Sequence, residues 1–191
     1  MHVSLSALLG LAALTAQVQG HGQVTKPKAR LPGDATAGVC GTTLVKFYQA
    51  DETSYPEALM RANPKGLDSA YDAKKCNLYF CKGFQFADNK ANVYSYKPGE
   101  KVDFTVQIRI PHEGYANVSI VDTAANKAIG SPLFAWPSGY ASGKDFPSKI
   151  PANQTAFSVT IPDLGSKCAT AGACVRETAS CVKNQATDNL L

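Results

Sequence analysis

The sequence predicts an all-β protein, built as a single antiparallel β-sandwich with long, disulfide-held loops near its start. The first observation is an unbroken alternation of apolar and polar residues over Lys101–Ile110. The second is the return of this period-two pattern at residues 115–121 and 155–161. The third is the supply of turn residues, 15 glycines and 11 prolines in 191 residues, which suits short strands better than long helices.

Alternation with a period of two gives each of these strands one buried face and one wet face. The inward positions of the first strand are all apolar: Val102, Phe104, Val106, Ile108 and Ile110. Those of the second and third strands are Val118 and Ile120, then Phe157, Val159 and Ile161. Weaker strands are predicted at residues 92–96 and 128–134.

One short helix is predicted at Pro56–Ala62 within residues 21–90, which we otherwise expect to be rich in loops. Ser54 and Glu57 have the spacing of a capping box at its start. Pro64 limits how far the helix can extend.

Residues 1–20 have the layout of a secretory signal peptide. A short apolar run at residues 5–16 is followed by Val18 and Gly20 at the minus-three and minus-one positions, which predicts cleavage after Gly20. The mature chain, residues 21–191, is then one domain with a core of ordinary size. We expect it to be secreted into the extracellular space.

The six cysteines all lie in the mature chain, and an even number in an oxidising compartment predicts structural disulfides. Close spacing favours two local bridges, Cys76–Cys81 and Cys168–Cys174. The remaining pair, Cys40–Cys181, would then close a long loop between the start and the end of the domain.

The sequons Asn117-Val-Ser and Asn153-Gln-Thr predict glycosylation of Asn117 and Asn153 in a secreted protein. The net charge of +4 comes from scattered basic residues, whereas nucleic-acid binders carry a dense basic stripe with interleaved aromatics. No apolar run after residue 20 is long enough to cross a membrane. We expect a monomer with neither nucleic acid nor a membrane as its partner.

The two histidines of the mature chain, His21 and His112, are the candidate metal ligands. Cleavage after Gly20 makes His21 the first residue, so its α-amino group and its imidazole Nδ1 can chelate one metal ion. The imidazole of His112 would complete a T-shaped site of three nitrogens. Copper(II) heads the divalent affinity order and favours tetragonal nitrogen ligation, whereas zinc requires a fourth ligand that the sequence does not offer. The sequence therefore predicts one copper ion on His21 and His112. The alternative is that His21 is an ordinary exposed terminal histidine and His112 an ordinary loop histidine after a strand.

Four segments resemble the fungal lytic polysaccharide monooxygenases of auxiliary activity family sixteen. They are HGQV from His21, YDAKKCNLYFCKGFQFADN from Tyr71, YKPGEKVDFTVQIRIPHEGYANVSIVDTAANKAIGSPL from Tyr96 and PANQTAFSVTIPDLGSKCATAGACV from Pro151. The resemblance covers residues 21 to about 175. It implies an immunoglobulin-like or fibronectin-like sandwich and a catalytic copper brace on His21 and His112. It also implies oxidative cleavage of cellulose or a related β-1,4-glucan, with electrons from an external donor.

The chain departs from the pattern of this family after Val175. Members of the family continue into a strand bearing Gln and Trp and supply a Tyr shortly before the last cysteine. Here no aromatic residue follows Phe157, and Thr178 stands at the position of the axial Tyr. We expect copper binding to survive this change, and turnover and thermal stability to be lower than in a relative that has the strand.

Two other functions stay open beside a secreted copper monooxygenase. The altered C-terminus favours a non-catalytic, secreted copper- or polysaccharide-binding protein. A hydrolase that uses paired carboxylates, or His112 in a Ser-His-Asp triad, would need no copper. Four aromatic residues in loops are candidates to stack on a sugar ring, although core packing is their commoner role: Trp136, Tyr140, Tyr48 and Tyr55.

Overall fold

Two antiparallel sheets of three strands form the body of the protein, in a computed structural model that describes residues 21–125, 127–142 and 150–177. The first sheet has the order β1 (His21–Lys26), β2 (Lys101–Ile110), β5 (Ala156–Thr160). The second has the order β4 (Lys127–Tyr140), β3 (Gly114–Asp122), β6 (Cys174–Glu177). The prediction of a mainly antiparallel β protein is confirmed.

Side chains from both sheets meet in one core, as in a sandwich. Val24 of β1, Phe104 of β2 and Val118 of β3 are buried and belong to the same apolar cluster. At one edge of the sandwich β4 approaches β5, where the rings of Trp136 and Phe157 lie 4.9 Å apart in an edge-to-face arrangement. Such contacts between large rings stabilise a core beyond their area of burial.

The alternation predicted for β2 is confirmed over most of its length, because Val102, Phe104 and Val106 are all buried. The prediction that Ile110, the last of the inward positions, is buried is wrong, since Ile110 is 39% exposed. Burial already falls at Ile108, which is half-buried, because the core between the sheets ends there and β2 continues past it.

The outer predicted strands are shifted or absent. Residues 128–134 form part of the longer β4, and β5 begins at residue 156 because Ala152–Thr155 forms a short helix, α4. Residues 92–96 are not a strand. The side chain of Asn92 donates hydrogen bonds to the carbonyls of Lys28 and Ala29 at 3.0 and 3.1 Å, which ties this segment to a loop instead of a ladder.

The region between β1 and β2 is more helical than the sequence predicts. The helix at Pro56–Ala62, α3, is confirmed, but its N-cap is Tyr55 and no side chain caps it, so the capping-box argument is wrong. Two further helices, α1 (Asp34–Cys40) and α2 (Thr42–Ala50), were not predicted. Both are short and rich in weak helix formers such as Thr, Gly and Val. Within the described ranges, no helix is long and apolar enough to span a membrane.

Asp88 holds the start of α1 from a distant part of the chain. Its carboxylate accepts hydrogen bonds from the backbone N–H groups of Gly33, Ala35 and Thr36 and from the Thr36 hydroxyl, at 2.6 to 3.0 Å. Burial opposes ionisation of Asp88, but these hydrogen bonds outweigh it and hold the pKa of this carboxyl below its usual value. A helix start without a local cap is therefore satisfied by a tertiary contact.

The disulfides correct two of the three predicted pairings. Cys168–Cys174 is confirmed, whereas Cys40 bonds to Cys76, with Cα atoms 5.2 Å apart, so Cys76–Cys81 and Cys40–Cys181 are wrong. Cys40 ends α1 and is fully buried with Cys76 in the core of the helical region. Tertiary packing, not sequence spacing, brings these two sulfurs together; Cys181 lies outside the described residues.

Gly83 packs against the Cys40–Cys76 bridge, and we predict that Gly83→Ala destabilises the protein. A Cβ at this position would lie 2.6 Å from the Cys76 sulfur and 2.9 Å from the Cys40 sulfur, and Gly83 has φ of +78°. The left-handed backbone alone costs an L-residue about 1–2 kcal/mol, and the clash adds to this.

Gly66→Ala is the matched control, because Gly66 has φ of +94° and no atom lies within 4 Å of the position that its Cβ would take. Urea unfolding with the disulfides intact should show a clearly larger loss for Gly83→Ala than for Gly66→Ala. Equal losses would mean that the contact of residue 83 with the disulfide sulfurs does not affect the free energy of unfolding.

Candidate metal site at the start of β1

The pairing of β1 with β2 brings the two predicted ligands to the same end of one sheet. His21 is the first residue of β1 and lies opposite Ile110, the last residue of β2. Pro111 follows and ends the strand, since proline cannot donate to a ladder, and His112 comes next. The two histidines, 91 positions apart in the sequence, thus lie close to the same strand end.

Gly22 fixes the position of His21 from the C-terminal side. Its N–H donates a hydrogen bond to the carbonyl of Thr53 at 3.1 Å. A Cβ on Gly22 would lie 2.9 Å from the carbonyl oxygen of Gln107, so only glycine allows β1 to approach β2 this closely. This observation gives a physical role to the glycine that follows the histidine in the HGQV segment.

A turn at residues 51–55 covers the same strand end. Thr53 donates to the Asp51 carboxylate through its backbone N–H at 3.0 Å and its hydroxyl at 2.6 Å. The ring of Tyr55 stands edge-on to the imidazole of His21, with centroids 5.0 Å apart. The imidazole of His21 therefore packs against a structured turn and is not surrounded by solvent alone.

Asp51 and Arg109 join this turn to β2. Their side chains form an ion pair at 3.0 Å. Burial opposes ionisation of Asp51, but the hydrogen bonds from Thr53 and the charges of Arg109 and His21 prevail and hold the pKa of this carboxyl below its ordinary value of 3.8. The ionised carboxylate of Asp51 therefore places a negative charge near His21, and this charge would attract a cation to this end of the sheet.

His112 is half-buried in the loop between β2 and β3. Its Nδ1 atom is shielded from solvent. The next residue, Glu113, accepts a hydrogen bond from the hydroxyl of Ser142 at 3.3 Å, which links this loop to the end of β4. In the described part of the chain, no group of three or more His, Cys, Asp and Glu side chains is placed to hold a metal. A site made of two imidazoles and an α-amino group is not a group of that kind, because it has only two side-chain ligands.

Three of the four aromatic candidates for sugar stacking are core residues. Trp136, Tyr140 and Tyr48 are 8%, 4% and 0% exposed, so they are not available to a substrate. Burial raises the pKa of Tyr140 to about 12, and its hydroxyl donates to the carbonyl of Gln154 at 3.2 Å. Tyr55 alone is half-buried and next to His21.

The predicted glycosylation sites are both accessible. Asn117 is exposed on β3 and accepts a hydrogen bond from the hydroxyl of Ser119 at 2.9 Å, and Asn153 is exposed in α4. Glycosylation itself stays a prediction. Thr178, which stands in place of the axial Tyr, lies outside the described residues, as does the predicted signal peptide.

Sequence reasoning missed the residues that support the site. An aspartate and a threonine two positions apart, Asp51 and Thr53, are a known local signal for a turn and offered a clue. The ion pair with Arg109 carried no such signal, because 58 positions separate the two residues in the sequence.

We predict that Asp51→Asn lowers stability at neutral pH but not in acid. A depressed pKa means that ionised Asp51 contributes stability above its ordinary pKa of 3.8, and that this contribution is lost as the pH falls through the lower folded value. The loss should be roughly 1 kcal/mol or less, because the ion pair is partly exposed. Urea unfolding from neutral pH into the acid range measures it.

Asp72→Asn is the control, since Asp72 forms an exposed ion pair with Lys75 at 3.5 Å, three residues along the chain. At neutral pH, Asp72→Asn should lower the free energy of unfolding by less than Asp51→Asn does. Equal stability of the Asp51 variant and the parent protein at neutral pH would contradict a supporting role for Asp51.

Comparison of the chain with known protein families and with curated proteins finds no match. The resemblance to the polysaccharide monooxygenases thus depends on the four segments named above and on their site residues. The geometry around His21 and His112 is the independent observation on which a function can be argued.

Proposed function

We propose that this protein is a secreted, copper-dependent lytic polysaccharide monooxygenase that cleaves cellulose-type β-1,4-glucans by oxidation. The observation that carries the proposal is the register of β1 against β2, which pairs His21 with Ile110 at the strand end next to His112. Removal of residues 1–20 would leave a free α-amino group on His21, at the same place. The immunoglobulin-like or fibronectin-like arrangement of the sandwich is part of this proposal.

The donor set fits copper. His21 would hold the ion through its α-amino nitrogen and its imidazole, and His112 through Nε2, because the Nδ1 of His112 is shielded from solvent. Nitrogen donors in this number suit copper(II) better than magnesium or calcium, which prefer oxygen. When bound, copper supplies one-electron chemistry, in which an external donor provides electrons and O₂ or H₂O₂ is activated to remove a hydrogen beside the glycosidic bond.

The surrounding residues position His21. The hydrogen bond from Gly22 to Thr53 fixes the backbone, and the edge of Tyr55 limits rotation of the imidazole. The ion pair of Asp51 with Arg109 holds the turn against β2. Ligands that are restrained before the metal binds lose less entropy on binding.

Tyr55 is the residue we assign to substrate contact. It is half-buried beside His21, and the guanidinium of Arg61 donates a hydrogen bond to its hydroxyl. The same guanidinium lies 5.4 Å from the centre of the ring. A tyrosine and an arginine held together at the surface offer an aromatic face and hydrogen-bond donors to a sugar.

A non-catalytic copper- or polysaccharide-binding protein is the second candidate. The observation that favours it is the presence of Thr178 where the family has an axial Tyr. The brace would be the same in both cases, so copper binding alone does not separate them. Release of oxidised oligosaccharides does.

We predict that secreted protein begins at His21, binds one Cu(II), and releases oxidised oligosaccharides from cellulose only with both copper and a reductant. His112→Ala should weaken copper binding beyond the roughly 10–100-fold that loss of an outer partner costs. Glu113→Gln is the control, because it alters the neighbouring side chain and keeps both imidazoles. Intact mass, copper titration and product analysis are the measurements.

Each result bears on a different part of the proposal. Copper binding without oxidised products supports the non-catalytic alternative. Hydrolysed products without copper support a hydrolase. An unchanged copper affinity in His112→Ala contradicts the assigned ligands.

We further predict that Gly22→Ala weakens copper binding while the domain stays folded. The new Cβ would press on the carbonyl oxygen of Gln107 and displace the start of β1 from β2. Gly38→Ala is the control, since no atom lies within 4 Å of the position that its Cβ would take. Copper titration and circular dichroism of both variants test this, and a Gly22→Ala affinity equal to that of the control would contradict it.

A further inference from the structure

Lys82 is a buried lysine in the short 3-10 helix Cys81–Gly83. The residue is 5% exposed, although lysines are almost never buried unless they are paired. Its ammonium group donates a hydrogen bond to the carbonyl of Glu52 at 2.6 Å and lies 5.0 Å from the centre of the Tyr48 ring. A charge-assisted hydrogen bond and a cation–π contact together offset the removal of this ammonium group from water.

The backbone around Lys82 is in the left-handed region. The φ angle is +48° at Cys81, +56° at Lys82 and +78° at Gly83. An L-residue in this conformation is strained, and such strain persists only where the surrounding structure enforces it. The close approach of Gly83 to the sulfurs of the Cys40–Cys76 bridge is part of that structure. The fold thus holds a lysine at a buried and strained position, which indicates a specific task for its ammonium group.

The contacts of Lys82 point to the turn at residues 51–55. Glu52, whose carbonyl accepts from Lys82, directly precedes Thr53, whose carbonyl accepts the hydrogen bond from the N–H of Gly22. Lys82 and Gly22 therefore bind the carbonyls of two consecutive residues in one turn. Because a backbone turn moves as a unit, a displacement of the Glu52 carbonyl would also displace the acceptor of Gly22, the residue that follows His21.

The turn is held from two sides. The ion pair of Asp51 with Arg109 joins it to β2 and is partly exposed. Lys82 joins it to the core of the helical region, where Tyr48 is fully buried. Charged groups interact more strongly in a low-dielectric interior than at the surface. We therefore expect the contact of Lys82 to restrain the turn more than the ion pair does.

We infer that Lys82 is a positioning residue for the copper site. Through the carbonyl of Glu52 it fixes the turn to which Gly22 is hydrogen-bonded, and so it sets the place of the α-amino group and the imidazole of His21. Ligands that are restrained before the metal binds lose less entropy on binding, so loss of the ammonium group should weaken copper binding. The role in copper binding rests on the proposed function, whereas the restraint of Gly22 does not.

Lys82→Met tests the inference, because methionine keeps an unbranched chain and removes the ammonium group. In metal-free protein that begins at His21, amide hydrogen exchange of Gly22 should become several-fold faster. The amide of Ile161, which donates to the carbonyl of Glu100 at 2.9 Å, is the reference within the same sample. Copper affinity should fall by roughly 10-fold, as for the loss of an outer partner of a metal ligand, and the electron paramagnetic resonance spectrum of Cu(II) should change.

Two control variants separate positioning from general stability. Lys75→Met removes an exposed lysine of the same region and should change neither the exchange of Gly22 nor copper binding. Val45→Ala deletes two methyl groups from the core that contains Tyr48. It should lower the melting temperature and leave the copper spectrum and the exchange of Gly22 relative to Ile161 as they are. If Val45→Ala reproduces the changes of Lys82→Met, the role of Lys82 is structural and the inference is wrong.

Unchanged copper affinity and an unchanged spectrum in Lys82→Met would overturn the inference, whatever the exchange of Gly22 shows. Failure of the proposed function gives a different result, because the unmutated protein would then bind no copper while Lys82→Met still accelerated the exchange of Gly22.

Acetylation of the unmutated protein decides the case if Lys82→Met does not fold. Coupling between two sites is reciprocal, so bound copper should slow the acetylation of Lys82 relative to that of Lys75. Equal relative rates with and without copper would overturn the inference.

Discussion

The antiparallel pairing of β1 with β2 is the constraint on which the candidate site depends. It runs from His21 opposite Ile110 to Lys26 opposite Thr105, and it buries Val24 in the core between the sheets. The same hydrogen bonds that stabilise the sheet therefore place the first residue of the predicted mature chain beside the loop of His112. The close approach at Gly22 shows how little space this register leaves.

The helical region between β1 and β2 supports this strand end, although it has its own core. The Cys40–Cys76 bridge and the buried residues Leu44 and Leu59 stabilise that region. The turn at residues 51–55 follows α2 directly and contacts His21 through Tyr55. The helical region around the bridge thus contacts a histidine on β1, a strand whose Val24 is buried in the separate core between the sheets.

The parts of the fold that could be predicted are those with local causes. The alternation in β2 follows from one buried face. The position of α3 was predicted correctly, although the capping box used as its signal is absent and the helix instead begins with Pro56 in its first turn. Contacts between distant segments could not be predicted, such as the carboxylate of Asp88 at the start of α1 or the bond from Cys40 to Cys76. The two histidines were found because they are scarce and one follows the predicted cleavage site, whereas the support of His21 by the turn of Asp51 and its ion pair with Arg109 appears only in the folded chain.

The claim that the α-amino group of His21 is a copper ligand is tested most directly by electron paramagnetic resonance of Cu(II). The spectrum of protein that begins at His21 is compared with that of protein carrying one additional alanine before His21, which turns the amine into an amide. The account predicts that the extension changes the spectrum and weakens copper binding, because one of three nitrogens is lost. Identical spectra and equal affinities would contradict a site built on the start of β1.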